Sequence, residues 1–352
     1  MKTDFEGIVL EWAVSTDVGC VRTLNEDSQF ASPPVFVVAD GMGGHDAGEV
    51  ASAMTVEQFA AFAGSSPPEV EAVAREFQNI HERIRGAMVD GVAVDMGTTA
   101  VGLFLTVHAG VVGWLVANVG DSRAYSTSGG SLSQVTVDHS YVQELIDAGT
   151  LDADEARHHP QRNIITQALG AVEVIAPDFW IRPIRAGERF LLCTDGLTGE
   201  VEDREIESIL LGTISPELAA TTLTQRALDA GGHDNVTVIV VDVVTVPSDV
   251  DVSTETHPGA SGVFSIPSAP AGSVDLLAPD GIREVPRSLI LSDPEPALES
   301  MAVSQSLIDI VPPEIAHSEP EQHESITAVV TDLISSPPPG SEIEVDQGDS
   351  NE

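Results

Sequence analysis

The 352-residue sequence predicts an α+β domain followed by an acidic tail without a core. Three observations predict it. Between Thr98 and Val135, four short β-rich segments are spaced by glycine turns, the pattern of antiparallel strands. Glu49 to Ala63 and Glu69 to Val89 carry apolar residues at helical spacing and would cover a sheet. Past Pro247 the composition shifts: residues 249–352 hold 20 Asp and Glu against only Arg283 and Arg287, a formal −18, with 13 prolines, one phenylalanine and no Trp or Tyr. Such a segment buries too little apolar surface to offset chain entropy, so it reads as a disordered tail.

The domain opens at Ile8 to Ser15, which alternates as a strand with one buried face. In the turn-rich segment Thr16 to Ser28, Arg22 with Asn25, Glu26 and Asp27 could serve either a salt-bridged loop or a phosphate and metal site. Val35 to Ala39 is a β-branched and aromatic run, hence a buried strand, and it stops at Asp40. Gly41, Gly43 and Gly44 then let the backbone fold back. A carboxylate beside an exposed carbonyl offers the hard oxygen donors that Mg²⁺ or Mn²⁺ takes, although Asp-Gly is also an ordinary turn.

The first helix points Val50, Ala53, Met54, Phe59 and Phe62 inward and breaks at Ser66-Pro67-Pro68. A second stripe comes next with Val70, Val73, Phe77, Ile80, Ile84 and Met88. The segments 98–106, 111–119, 122–126 and 132–135 read as a meander, with Gly120-Asp121 at one of its turns. From Asp138 to Gly170 a polar stretch with short helices at 141–148 and 152–156 reads as an insertion on one edge. Strands return at 175–184 and 189–194, and the second ends at Asp195-Gly196. Helices at 203–211 and 216–230 precede His233-Asp234-Asn235 and a last strand, 236–245.

Composition narrows the function classes. A formal charge of −41 and a pI near 4.2 argue against nucleic acid and against an anionic membrane surface as partners. No run of 18 apolar residues occurs, and the N-terminus lacks the profile of a signal peptide. Cys20 and Cys193 are too few for a disulfide framework and read as free, buried thiols in a reducing cytoplasm.

Asp40, Asp121, Asp195 and Asp234 thus stand at strand ends or turns, three of them beside a glycine. Strands sharing a sheet can gather such ends, and the repulsion is tolerable if cations neutralise it. A binuclear hard-metal centre is the economical explanation, because two ions roughly 3.5 to 4 Å apart can activate water for in-line displacement at phosphorus.

These residues also carry a family resemblance. Arg22 with Asn25-Glu26-Asp27, DGMGG at 40–44, GTT at 97–99, GDSR at 120–123, DHS at 138–140, ITQALG at 165–170, DGL at 195–197 and HDN at 233–235 stand in the order of the PPM (PP2C-type) metal-dependent Ser/Thr protein phosphatases. The chain resembles the bacterial branch most, from Glu11 to Val246. The resemblance implies a four-layer α-β-β-α sandwich over residues 1–248, with a flap at about 139–170. It implies two or three Mn²⁺ or Mg²⁺ ions. Asp40 would bridge two of them, Gly41 would give its carbonyl, Asp195 and Asp234 would complete the inner set, and Glu26 and Asp27 would act through water. Asp121 with Asp195 would hold a third ion, and Arg22 would hold phosphate. The implied reaction is direct attack of metal-bound hydroxide on phosphoserine or phosphothreonine in proteins, the kinases and their targets among them, by a monomeric enzyme.

Met42 departs from members that place a histidine there, and a thioether donates no proton, so His45 or metal-bound water is left as acid for the leaving group. His45 as a helix-start residue is the alternative. Gln167 stands where relatives often carry arginine. Two rival functions are a binding module that kept the fold and a phosphatase dedicated to one regulatory partner. In the tail, Ile326, Val329, Val330 and Leu333 recur at helical spacing, a stripe that either folds on a partner or is chance.

Overall fold

Strands buried on both faces dictate the layers. The computed structural model describes residues 1–43, 47–89, 92–93, 96–247 and 263–265. One sheet runs in the order β1 (Lys2–Phe5), β2 (Ile8–Asp17), β14 (Val236–Thr245), β13 (Arg189–Cys193), β10 (Arg123–Ser128), β11 (Ser131–Gln134). The other runs β15 (Val263–Ser265), β12 (Asp178–Arg182), β9 (Val111–Val119), β8 (Ala100–His108), β4 (Val35–Gly43), β3 (Asp27–Ser32), with β7 (Met96–Thr98) paired to β4. Every pairing within these sheets is antiparallel.

Alternation along single strands shows why the sheets stack. In β4, Phe36 and Val38 face the other sheet and join Trp114 of their own sheet with Trp12, Phe190 and Ile239 of the other. Val35 and Val37 face the opposite way, toward Phe59 and Phe77 of helices α1 (Ala47–Ala60) and α2 (Val70–Arg85). In β14, Ile239 and Val241 point between the sheets, while Val238 and Val240 pack under α6 (Asp203–Gly212) and α7 (Pro216–Ala230). The order of layers is therefore helix, sheet, sheet, helix. Edge-on aromatic contacts join the sheets, with ring centroids 5.8 Å apart for Trp12 and Phe36 and 5.6 Å for Trp114 and Phe190.

Several elements differ from the expectation drawn from sequence. The meander is divided, for β8 and β9 form a hairpin in one sheet while β10 and β11 lie in the other, and the chain crosses over at 120–122. Helix α2 stops at Arg85 because Gly86 comes next, so Met88 leaves the helical stripe for β5 (Met88–Val89), which pairs with β6 (Val92–Ala93). Strand β4 does not end at Asp40; Gly41, Met42 and Gly43 continue it by pairing with β7. Residues 263–265, inside the segment expected to be disordered, pair with Asp178 to Trp180 as an edge strand. The insertion at 139–170 holds α3 (Tyr141–Asp147) and α4 (Ala153–Ala156). By internal contacts the chain divides into residues 1–274 and 275–352, and the second unit, with its Ile326 to Leu333 stripe, lies outside the described residues. Among the described residues no helix is long and apolar enough to cross a membrane.

Candidate metal centre

Five aspartates meet at one end of the stacked sheets. Asp27 begins β3 and lies directly across from Asp40 of β4 in the register of that pair. Asp121 occupies the crossover between β9 and β10, Asp195 opens the one-turn helix α5 (Asp195–Thr198) after β13, and Asp234 precedes β14. The Asp40 carboxylate feels the charges of Asp195, Asp27, Asp121 and Asp234 together. Its carboxyl is pushed well above the ordinary range, first by desolvation and then by those four neighbours. Burial likewise raises Asp121, with Asp195 and Asp138 adding to the effect. Asp195 is raised by burial and by Asp234, and a hydrogen bond with Asp40 partly offsets this. Asp27 is pushed up to about 7 by burial, against hydrogen bonds from Thr237 and Thr194.

The two cations nearby do not cancel this charge. Arg22 donates from Nη2 to Asp234 Oδ2 at 2.8 Å, and both side chains remain partly exposed. Arg123 is committed to Asp138 through three contacts of 2.7 to 3.0 Å. Asp27 Oδ1 and Asp121 Oδ1 are buried with no hydrogen-bond partner among the described residues. Buried, unpartnered, mutually repelling oxygens are the donor set of a hard divalent cation. Among the described residues no three His, Cys, Asp or Glu side chains converge tightly enough to hold an ion alone. A hard ion that keeps several waters needs no such cage, since one or two carboxylates per ion suffice.

Close backbone approach sets the carboxylates in place. A Cβ on Gly41 would lie 2.1 Å from the Gly48 carbonyl oxygen, so only glycine lets the end of β4 touch the start of α1. The Gly41 N–H donates to the Glu26 carbonyl at 3.2 Å, which brings Glu26 beside the turn. Asn235 is a further fixture. Its Oδ1 accepts the Glu26 N–H at 2.8 Å, and its Nδ2 donates to the carbonyls of Val18 and Leu24 at 2.9 Å each, tying the Arg22 loop to the Asp234 turn. Between the insertion and the α5–α6 segment, a cavity of about 470 Å³ opens onto Asp121 and Asp195.

A sequence profile of the family Protein phosphatase 2C matches residues 23–230, more than half of the chain. The chain belongs to the protein phosphatase 2C family. Among its PP2C relatives, the serine/threonine protein phosphatase PstP of Mycobacterium tuberculosis is 39% identical over 271 residues, 73% of this chain and 49% of PstP. The chain thus spans about half the length of that relative. Serine/threonine phosphatase stp of Listeria welshimeri is 36% identical, covering 64% of this chain and 93% of its own. The crystal structure of the PstP catalytic domain in complex with two manganese ions superposes with a TM-score of 0.61 at 35% identity, covering 67% of this chain and 99% of that one.

Of the residues singled out in the sequence, Arg22, Glu26, Asp27, Asp40, Gly41, Asp121, Asp195 and Asp234 come together here, whereas His45 lies outside the described residues. Cys193 is buried, as expected, but Cys20 is exposed, because its loop runs over the surface beside Gly232. Sequence reasoning leaves Asn235, Thr194 and Thr237 without a role. The one signal for them is a small polar residue in an apolar strand or directly beside an aspartate.

Proposed function

We propose that the chain is a metal-dependent protein serine/threonine phosphatase that hydrolyses phosphoserine and phosphothreonine in proteins and opposes Ser/Thr kinases. The observation that carries this reading is the cluster of five aspartates, Asp27 and Asp121 among them with a buried, unpartnered oxygen, beside a half-exposed arginine. In it Asp40, Asp195, Asp234 and the Gly41 carbonyl would hold two Mn²⁺ or Mg²⁺ ions, with Glu26 and Asp27 acting through water. Asp121 with Asp195 would hold a third. When bound, the ions supply positive charge that polarises phosphate and activates water.

The chain's own residues bind and orient. Arg22 spends one nitrogen on Asp234 and keeps its remaining donors for two phosphate oxygens, so the ion pair aims phosphate at the carboxylates. Asn235 holds the Arg22 loop at fixed distance from Asp234. Met42 cannot protonate the departing alkoxide, which leaves His45 or water for that task. Cys193 is no nucleophile, since burial raises its thiol and keeps it neutral. Residues 1–248 form the catalytic domain, and the insertion at 139–170 shapes access to the cavity. Two free cysteines suit a cytoplasmic setting.

Hydrolysis of a phosphothreonine peptide should require Mn²⁺ or Mg²⁺, stop with EDTA and return when the ion is restored. Asp40→Asn should lose nearly all turnover, because it weakens the hold on ions that would contribute several kcal/mol to the transition state. Full activity in EDTA, or an unaffected Asp40→Asn variant, overturns the reading.

A further inference from the structure

The GTT segment at 97–99 ends on Thr99, which is fully buried between β7 and β8 and touches the site at three points. Thr99 Oγ1 accepts the Asp40 N–H at 2.9 Å, and the Thr99 N–H returns a bond to the Asp40 carbonyl at 2.9 Å. The same hydroxyl lies 2.7 Å from Ser122 Oγ, itself fully buried. On its other side the Thr99 methyl occupies the space above Gly120, where a Cβ would come within 2.6 Å of Cγ2 and where φ is +105°. One side chain therefore grips the residues before and after Asp121 while holding the amide of Asp40.

That grip matters because the Asp121 carboxylate has so little else to locate it. Its Oδ1 makes no hydrogen bond among the described residues. The backbone of Gly120 is pinned by Asn118 and His139, but beyond Asp121 the Ser122 hydroxyl is held by Thr99, from the other sheet's strand pair. Thr98 adds a second bond to the Asp40 carbonyl, at 2.8 Å, so the Asp40 backbone survives loss of one contact better than the Asp121 turn does.

We propose that Thr99 is a positioning residue whose hydroxyl sets the spacing between the Asp40 and Asp121 carboxylates and so governs occupancy of the ion held on the Asp121 side. This role rests on the proposed metal centre. Thr99 itself touches neither ion nor substrate; it acts through Ser122 and the Asp40 amide.

Titrating the EDTA-stripped, full-length protein with Mn²⁺ in a calorimeter tests it. Thr99→Val keeps the shape but removes the hydroxyl, and the weakest binding step should weaken about 10- to 100-fold, the usual cost of losing a partner that orients a ligand. Thr99→Ser, which keeps the hydroxyl, should return the isotherm to near that of the wild type. Ser122→Ala, a smaller change that still folds if Thr99→Val does not, should weaken the same step and leave tighter steps alone. If Thr99→Val and Ser122→Ala both bind Mn²⁺ like the wild type, or if Thr99→Ser fails as badly as Thr99→Val, the proposal is wrong. A wild-type protein that binds no Mn²⁺ would instead overturn the metal reading itself.

Discussion

Arg22 reaches Asp234 across an exposed 2.8 Å contact, and its stability value is small because both partners remain in water. In the proposed reaction its worth would lie in phosphate binding, where charged hydrogen bonds contribute about 1.5 to 3 kcal/mol. Arg22→Ala should therefore raise KM for a phosphothreonine peptide about 10-fold or more, with kcat little changed and the melting temperature nearly constant. Steady-state kinetics on the purified variant decide it, since a fall in kcat at constant KM would give Arg22 a role confined to the transition state. At this scale the sequence discloses the charged residues and hides what orients them. Asp40, Asp121 and Asp195 stand out because each adjoins a glycine in a turn or at a strand end. Asn235 and Thr99 appear only inside the HDN and GTT strings and without a role, for the role proposed for them lies in hydrogen bonds to residues 23 to 217 positions away, and no local pattern encodes such a partner.

An imidazole ties helix α2 to the end of the 139–170 insertion. Buried His81 accepts the Gly170 N–H on Nδ1 at 3.1 Å, and its Nε2 faces the Glu173 carbonyl at 3.5 Å, an arrangement that requires the neutral ring. Burial pushes its pKa down, with Arg85 adding to the effect against the Glu173 carbonyl and Glu82. A base whose folded pKa is depressed gives stability that is present above the unfolded value of about 6.5 and lost as pH falls through the folded one. Wild type should therefore exceed His81→Asn in unfolding free energy at about pH 7.5, and the gap should narrow toward about pH 5.5 in parallel urea titrations. A gap that widens on acidification would mean the ring is charged in the fold. Elements with one strong period, such as α2 and α7, are legible within a few residues. The division of the meander between two sheets is not, because β9 and β10 are buried on both faces and read as β-rich runs whichever sheet they join.

Across the whole molecule, the two sheets meet at the aspartate cluster, and every proposed ligand precedes Pro247. Among the described residues, the chain beyond Pro247 touches the domain at the edge of β12, where Val263, Phe264 and Ser265 pair with Trp180, Phe179 and Asp178. An edge strand left open presents unpaired backbone groups, so these three residues cover a row that would otherwise face water. The Asp178 side chain links this edge to the aspartate cluster, since its Oδ2 lies 3.2 Å from His139 Nε2 and His139 Nδ1 accepts the N–H of Gly120, next to Asp121. A chain cut after Val274 should therefore match the full chain in stability, Mn²⁺ affinity and peptide turnover. A chain cut after Pro247 should keep its turnover within about 2-fold, because an edge strand of three residues contributes on the order of 1 kcal/mol or less, but its amides from Asp178 to Trp180 should exchange hydrogen faster than in the longer form. Hydrogen-exchange mass spectrometry on the two truncated chains separates the outcomes. Equal protection of β12 in both would show that the 263–265 pairing contributes nothing in solution, whereas a large loss of turnover after Pro247 would mean that the β12 edge supports the Asp121 turn through Asp178 and His139.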